Sequence, residues 1–220
     1  MFITLDGVDG SGKSSIAKAL HAHLESKWPD KKIHLTREPG GKGLHVGEEL
    51  RSIILSNQYL TPETVLMLLV AARIEHCRTF IIPALLNGAI VICDRFSAST
   101  FVYQRVECQV DLPLYTSSRD VVQKLFTDRG LSAFPDVQLL LDVDYDTSRA
   151  RLEARTDQKL NFFDTASEQT FINRRCGYLA YAQTPHFDNG TVISADRTPQ
   201  EVFSDCLSAV DARFAQQGKI

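Results

Sequence analysis

Gly7-Val8-Asp9-Gly10-Ser11-Gly12-Lys13-Ser14 has the spacing G-x-x-x-x-G-K-[ST] and follows directly on the apolar, β-prone run Phe2-Ile3-Thr4-Leu5. Beyond it, Ile16, Ala19, Leu20 and Leu24 recur at i, i+3, i+4 and i+8, the period of a helix that begins where the glycines end. A strand, a glycine loop and a helix in that order are the setting a phosphate loop needs. Glycines let successive backbone N–H groups turn toward one anion, and the helix N-terminus adds partial positive charge. Lys13 then reaches the β- and γ-phosphates, and the Ser14 hydroxyl is placed to ligate Mg²⁺. The plainer alternative is a Gly-rich turn that only caps a helix.

Outward from this loop, apolar runs alternate with longer helical patterns. Strands are expected at Phe2–Asp6, Ile33–Thr36, Ala89–Asp94, Val137–Asp142 and Thr191–Ser194. Ile90-Val91-Ile92 and Leu139-Leu140-Leu141 do not alternate with polar residues, as suits strands buried on both faces of a parallel sheet. The pattern predicts an α/β, doubly wound, five-stranded parallel sheet with helices on both faces, whose ligands collect at the carboxyl ends of the strands. Trp28-Pro29 ends the first helix, and Thr61-Pro62 opens another that runs to about Asn87-Gly88.

Composition narrows the class. The 220 residues, 44% of them hydrophobic, suffice for one sizeable core, and we read residues 1–220 as a single domain. Net charge is −3 and no long Lys/Arg run occurs, so free nucleotides fit better than a nucleic acid polymer or a membrane surface. Five widely spaced cysteines suggest reduced thiols rather than a disulfide framework or a C-x-x-C metal site. No basic leader and no apolar run of about 18 residues is present, and the chain is expected to be soluble and cytoplasmic.

Several residues outside the loop point to chemistry. Asp9 places a carboxylate beside a polyanion, so a sugar hydroxyl of a second substrate or a neighbouring Arg has to offset it, unless it is only a capping or solvated residue. Arg37 stands at a strand end before Glu38-Pro39-Gly40-Gly41 and suits either a phosphate contact or a surface cluster with Glu38. Asp94-Arg95 ends the third strand. Asp94 suits Mg²⁺ held through water, and the Arg95 fork suits a phosphate, the alternative being a structural ion pair. Arg73 ends an apolar helix face, either snorkelling or pointing into a cleft. Arg149, Arg151 and Arg155 follow the fourth strand and either coat a helix or close over a transferring phosphoryl group.

Together these residues resemble one family, the thymidylate kinases, phosphate-loop nucleoside monophosphate kinases. The resemblance spans nearly the whole chain. It rests on the loop, on Thr36-Arg37-Glu38-Pro39-Gly40-Gly41, on Ala71-Ala72-Arg73, and on Asp94-Arg95-Phe96 continuing to Ser99-Thr100-Phe101-Val102-Tyr103-Gln104. Pro135-Asp136 and Gly177-Tyr178-Leu179 also fit. It implies ATP-dependent phosphorylation of dTMP or a related pyrimidine deoxynucleotide, with ATP at Gly7, Asp9, Gly10, Ser11, Gly12, Lys13, Ser14 and Ser15. Mg²⁺ would lie at Ser14 and Asp94, and Asp9 would accept the acceptor's 3′-hydroxyl. Arg37 and Arg95 would hold the acceptor phosphate. Leu69, Arg73, Ser99, Thr100, Tyr103 and Gln104 would line its base and sugar. Because Gly10 fills the loop position where some members keep an arginine, Arg151 and Arg155 in a lid at about residues 146–165 become the catalytic cations beside Lys13 and Arg95. A homodimer is implied as well.

Two departures from the family pattern stand out. Leu69 replaces the Phe that usually stacks on the base, four residues before the base-reading Arg73. In the lid, Asn161-Phe162-Phe163-Asp164 replaces the usual Asp-Arg-[aromatic or Ile]-Glu. They leave open a kinase for a modified or different nucleoside monophosphate, or a non-catalytic ATP-binding module.

Overall fold

The computed structural model describes residues 1–41, 44–56, 59–154, 167–216 and 218. Its strands are β1 (Phe2–Asp6), β2 (Ile33–Arg37), β3 (Ile90–Asp94), β4 (Val137–Asp142) and β5 (Gly190–Ser194). All pair in parallel, in the order β2-β3-β1-β4-β5. The five expected strands form, each within a residue of its expected ends. The helices are α1 (Lys13–Lys27), α2 (His45–Ser56), α3 (Pro62–His76), α4 (Ile82–Leu86), α5 (Ser97–Thr100), α6 (Leu112–Thr127), α7 (Tyr145–Glu153), α8 (Glu168–Tyr181) and α9 (Pro199–Gln216).

Alternation along the strands divides the core between the two faces of the sheet. Ile3, Leu5, Ile90 and Ile92 pack with Ile16 and Leu20 of α1 and Val202 and Val210 of α9. Their neighbours Phe2, Val91 and Cys93 pack on the other side with Leu66 and Val70 of α3 and Val122 and Phe126 of α6. Burial on both faces explains the unbroken apolar runs. β1 lies between β3 and β4, the place where strand order reverses and a crevice opens at the carboxyl ends. Leu5 is in register with both Asp94 and Leu139, so the segment after β1 emerges beside Asp94.

The helix expected from Pro62 to about Gly88 is interrupted. α3 starts as expected, the Thr61 hydroxyl accepting from the Thr64 N–H at 3.3 Å. At Cys77–Ile81 the turn widens to a π-helix in which the Ile82 N–H bonds the Cys77 carbonyl, five residues back. The cause follows in the chain: Pro83 brings no N–H and its ring crowds the preceding turn, which a wider turn relieves. A second π-helical stretch, Phe101–Glu107, continues α5 and carries Tyr103 and Gln104. No described helix is long and apolar enough to cross a membrane.

Candidate active site

The loop curls as its glycines allow. Gly10 and Gly12 have φ of 79° and 91°, in the left-handed region that side chains resist. Gly10 is also packed against α7: a Cβ there would lie 2.6 Å from the Ser148 carbonyl oxygen. Ser148, fully buried, donates to the Asp9 carbonyl at 2.8 Å. At the start of α1 the Ser15 and Ile16 N–H groups already bond the Gly12 carbonyl at 3.0 Å, and the helix N-terminus that follows the glycines suits an anion. Lys13 is buried and donates to the Val8 carbonyl at 2.9 Å. Burial, then the nearby Arg95 charge, pull its pKa down to about 8, against the attraction of Asp9 at 3.7 Å. A polyanion in the hollow would reverse that balance and favour the charged ammonium.

At the neighbouring strand end the Ser14 hydroxyl donates to Asp94 Oδ2. Asp94 Oδ1 is buried with no hydrogen-bond partner, as is Ser11 Oγ. A carboxylate oxygen left without a donor next to a hydroxyl is what a hard divalent cation takes up, so Ser14 and Asp94 fit Mg²⁺ by their donor set. Arg95 has φ 70° and turns its fork back over the loop. It donates to Asp9 Oδ1, to the Gly7 carbonyl at 3.2 Å and to Tyr178 Oη at 3.1 Å. The Tyr103 hydroxyl donates to Asp9 Oδ2 at 3.2 Å. Burial alone would raise the Asp9 carboxyl, but Arg95, Lys13 and Arg174 together hold it well below the usual range. The Tyr103 phenol, half-buried and poorly hydrated, is pushed up to about 12 and stays a donor.

From Asp9 a cavity of about 160 Å³ runs between α2, α3 and the α5 segment. Of the residues expected at an acceptor site, Asp9, Leu69, Arg73, Arg95, Ser99, Thr100, Tyr103 and Gln104 line it. Its apolar end is aliphatic, with Ile54, Leu55 and Val65 beside Leu69. Arg73 does not snorkel. It is buried, donates from Nε to Glu38 Oε2 at 2.5 Å and from Nη2 to the Phe96 carbonyl at 3.1 Å, and lies over the Phe96 ring. Glu38 is anchored in turn by His76 Nδ1 at 3.2 Å, whose Nε2 meets Thr36 Oγ1 at 2.8 Å.

Arg37 stands apart from this group. Its side chain is half-exposed and donates to Glu48 Oε1 at 3.1 Å, and it is not among the cavity-lining residues. Neither reading of Arg37 from sequence paired it with Glu48; Glu38, its supposed surface partner, is turned inward to Arg73. The cation that lines the cavity from this side is Arg51 of α2, which donates to the Pro39 carbonyl at 3.3 Å. Asp6 was missed too. Buried at the end of β1, it accepts from the Phe96 N–H, the Ser99 N–H and the Ser99 hydroxyl, and so fixes the turn that aims Arg95 and Ser99. Arg151, on α7, donates to the carbonyls of Ala195 and Arg197 at 2.8 and 3.1 Å. Gly12 is near: a Cβ on it would lie 4.0 Å from Arg151 Nη1. Arg155, Asn161–Asp164 and most of the expected lid lie outside the described residues.

A glycine loop at the switch point of a parallel sheet, with a buried lysine and a serine–aspartate pair beside it, defines a phosphate-loop nucleotide-binding protein with a cavity beside the loop. Comparison with known proteins specifies the family. The family model described as "Thymidylate kinase" matches residues 5–206. The chain is similar to the thymidylate kinase of Maridesulfovibrio salexigens, 35% identical over 97% of this chain and 96% of the other. It is also similar to that of Pelotomaculum thermopropionicum, 34% identical over 96% and 92%. Among solved structures it resembles thymidylate kinase from Ehrlichia chaffeensis, with a TM-score of 0.73 and 27% identity over 96% of this chain and 98% of that one. The chain belongs to the thymidylate kinase family, and is a nucleoside monophosphate kinase.

Proposed function

We propose that this chain transfers the γ-phosphoryl group of ATP to the phosphate of dTMP, giving dTDP and ADP. The observation that carries the reading is a shared residue: Asp9 of the phosphate loop also lines the cavity that Leu69, Arg73 and Arg95 line. Two nucleotides laid end to end would meet there. The acceptor phosphate has a second pKa of about 6, so its dianion attacks the γ-phosphorus without a general base. One P–O bond forms, the bond to the bridging oxygen breaks, and ADP leaves with the charge. Little covalent work falls to the protein, which positions the two ends and neutralises them.

In this reading Gly7 to Ser15 cradle the donor phosphates and Lys13 meets the charge that develops on them. Ser14 and Asp94 hold Mg²⁺, which supplies charge neutralisation when bound. Arg95 leaves Asp9 for the acceptor phosphate, and Asp9 then accepts the sugar 3′-hydroxyl. Arg51 supports that phosphate from α2, the role read for Arg37 from sequence. Arg73, Thr100 and Gln104 read the base, and Ser99 and Tyr103 border the sugar. Arg151, released from its two carbonyls, and Arg155 are the catalytic cations of the lid expected at about residues 146–165. Pairing of two chains through α2 and α3 is part of the proposal, supported by exposed Val46, Ile53, Leu55 and Met67.

A coupled ADP-release assay across the common nucleoside monophosphates tests the assignment. Turnover is expected with dTMP above the others. No turnover with any of them, or a clear preference for a purine, would refute it.

A further inference from the structure

Arg174 of α8 is 4% exposed, and the cavity lining does not include it. Its guanidinium forks onto Glu107, Nε donating to Oε2 at 2.7 Å and Nη2 to Oε1 at 2.9 Å. Glu107 is the last residue of the π-helical stretch that carries Tyr103. Arg174 also lies against Tyr103 itself, Cζ standing 4.9 Å from the ring centroid. A second guanidinium, that of Arg95, stands 5.6 Å from the same centroid. The ring is thus gripped by two cations while its hydroxyl rests on Asp9 Oδ2. The contact with the ring is additional to the fork on Glu107.

We propose that Arg174 is a positioning residue for the acceptor: held by Glu107, it fixes the π-helical turn and the Tyr103 ring so that the phenol stays on Asp9. This rests on the reading of Asp9 and Tyr103 as the acceptor's sugar contacts. The positive charge serves a second end, because Arg174 is one of the three cations that keep Asp9 ionised. Its action is through Tyr103 and Asp9, so it touches neither nucleotide. The expected signature is therefore a change in acceptor affinity with little change toward ATP.

Arg174→Met in the full chain keeps length and apolar packing and removes the fork and the charge. Glu107, with its side chain 31% exposed, is then able to hydrate. The KM for dTMP should rise roughly tenfold and that for ATP should change by less than about twofold. Arg174→Lys, charged but without the planar fork, should recover part of the loss. Tyr103→Phe should do less in the Arg174→Met background than alone, since both act on one contact. If Arg174→Met fails to fold, Glu107→Gln carries the same test, with an expected rise of about threefold in the KM for dTMP. An unchanged KM for dTMP in the variants, whatever their melting temperature, would make Arg174 merely structural and overturn the inference. The unmodified chain separates the two readings: no turnover with dTMP brings both down, whereas turnover with indifferent variants removes only this one.

Discussion

The phosphate loop takes its geometry from eight consecutive residues, whereas the wall facing it is assembled from segments far apart in the chain. At the loop, glycine backbone angles and the helix N-terminus make the site, and Lys13 is its one buried cation. Across the cavity, Glu38, Arg51, Arg73 and the turn after β3 meet only because β2 and β3 are adjacent strands with α2 and α3 beside them. The donor end depends on backbone, the acceptor end on ion pairs between distant side chains. Substitutions in the two ends should fail in different ways: at the loop chemistry should go and the fold remain, and at the wall fold and acceptor affinity should go together.

Lys13→Ala should show the first kind of failure at its most severe. Its kcat should fall by about 10³ or more, since the cation meets charge that develops during transfer. Because burial already penalises the ammonium, melting should stay where it is or rise. A variant with near-normal kcat would end the comparison.

Arg73→Met probes the opposite end. It leaves the Glu38 carboxylate, 6% exposed, with His76 as its remaining side-chain partner. Stripping one member of a buried ion pair costs about 3–5 kcal/mol, which urea unfolding would register. The KM for dTMP should rise as well. Adding Glu38→Gln should return part of the stability without restoring the affinity. If Arg73→Met is as stable as the parent, the wall is not held by this pair.

The pH dependence sharpens the contrast. Lys13 titrates near 8 in the free fold against 10.5 for the ordinary side chain, so between those values the unfolded chain binds more protons. Stability from this group therefore rises as pH climbs from about 8 to about 10.5, by linkage. Triphosphate binding runs the other way. It needs the charged ammonium, so above pH 8 binding takes up a proton and weakens by up to about tenfold per pH unit. Calorimetry at pH 9 in buffers of different ionisation enthalpy would detect the uptake; its absence would mean that Lys13 does not face the triphosphate.

Leu69→Phe is the mildest test. An aromatic ring at the aliphatic end of the cavity adds a stacking surface, worth about 1–3 kcal/mol per base in comparable sites. A fall of roughly fivefold in the KM for dTMP is expected, the low end of that range. A rise would indicate that the space beside Leu69 is already filled by the bound base.

How much could be read from the sequence follows the same division. The strands and the loop were legible because each is encoded locally, in apolar runs and glycine spacing. Arg51 was not, since on an amphipathic helix a lone arginine looks like solvated surface until α2 is laid against the cavity. Asp6 reads as the last residue of a strand, and its three donors from Phe96 and Ser99 come from the turn after β3 and from α5, some 90 residues along the chain. Glu38 was seen beside Arg37, but only the fold turns one inward to Arg73 and the other outward to Glu48. The two π-helical stretches escaped because apolar spacing carries no mark of a turn one residue wider; at Cys77–Ile81 the hint was Pro83.

The central claim is that one phosphoryl group passes between two nucleotides that meet at Asp9. Incubating the chain with Mg²⁺, dTMP and ATP labelled with ³²P at the γ-position, and separating the products, tests it most directly. Label in dTDP, lost in the Lys13→Ala variant, is the predicted result. Label released only as inorganic phosphate, or retained in ATP, would contradict it.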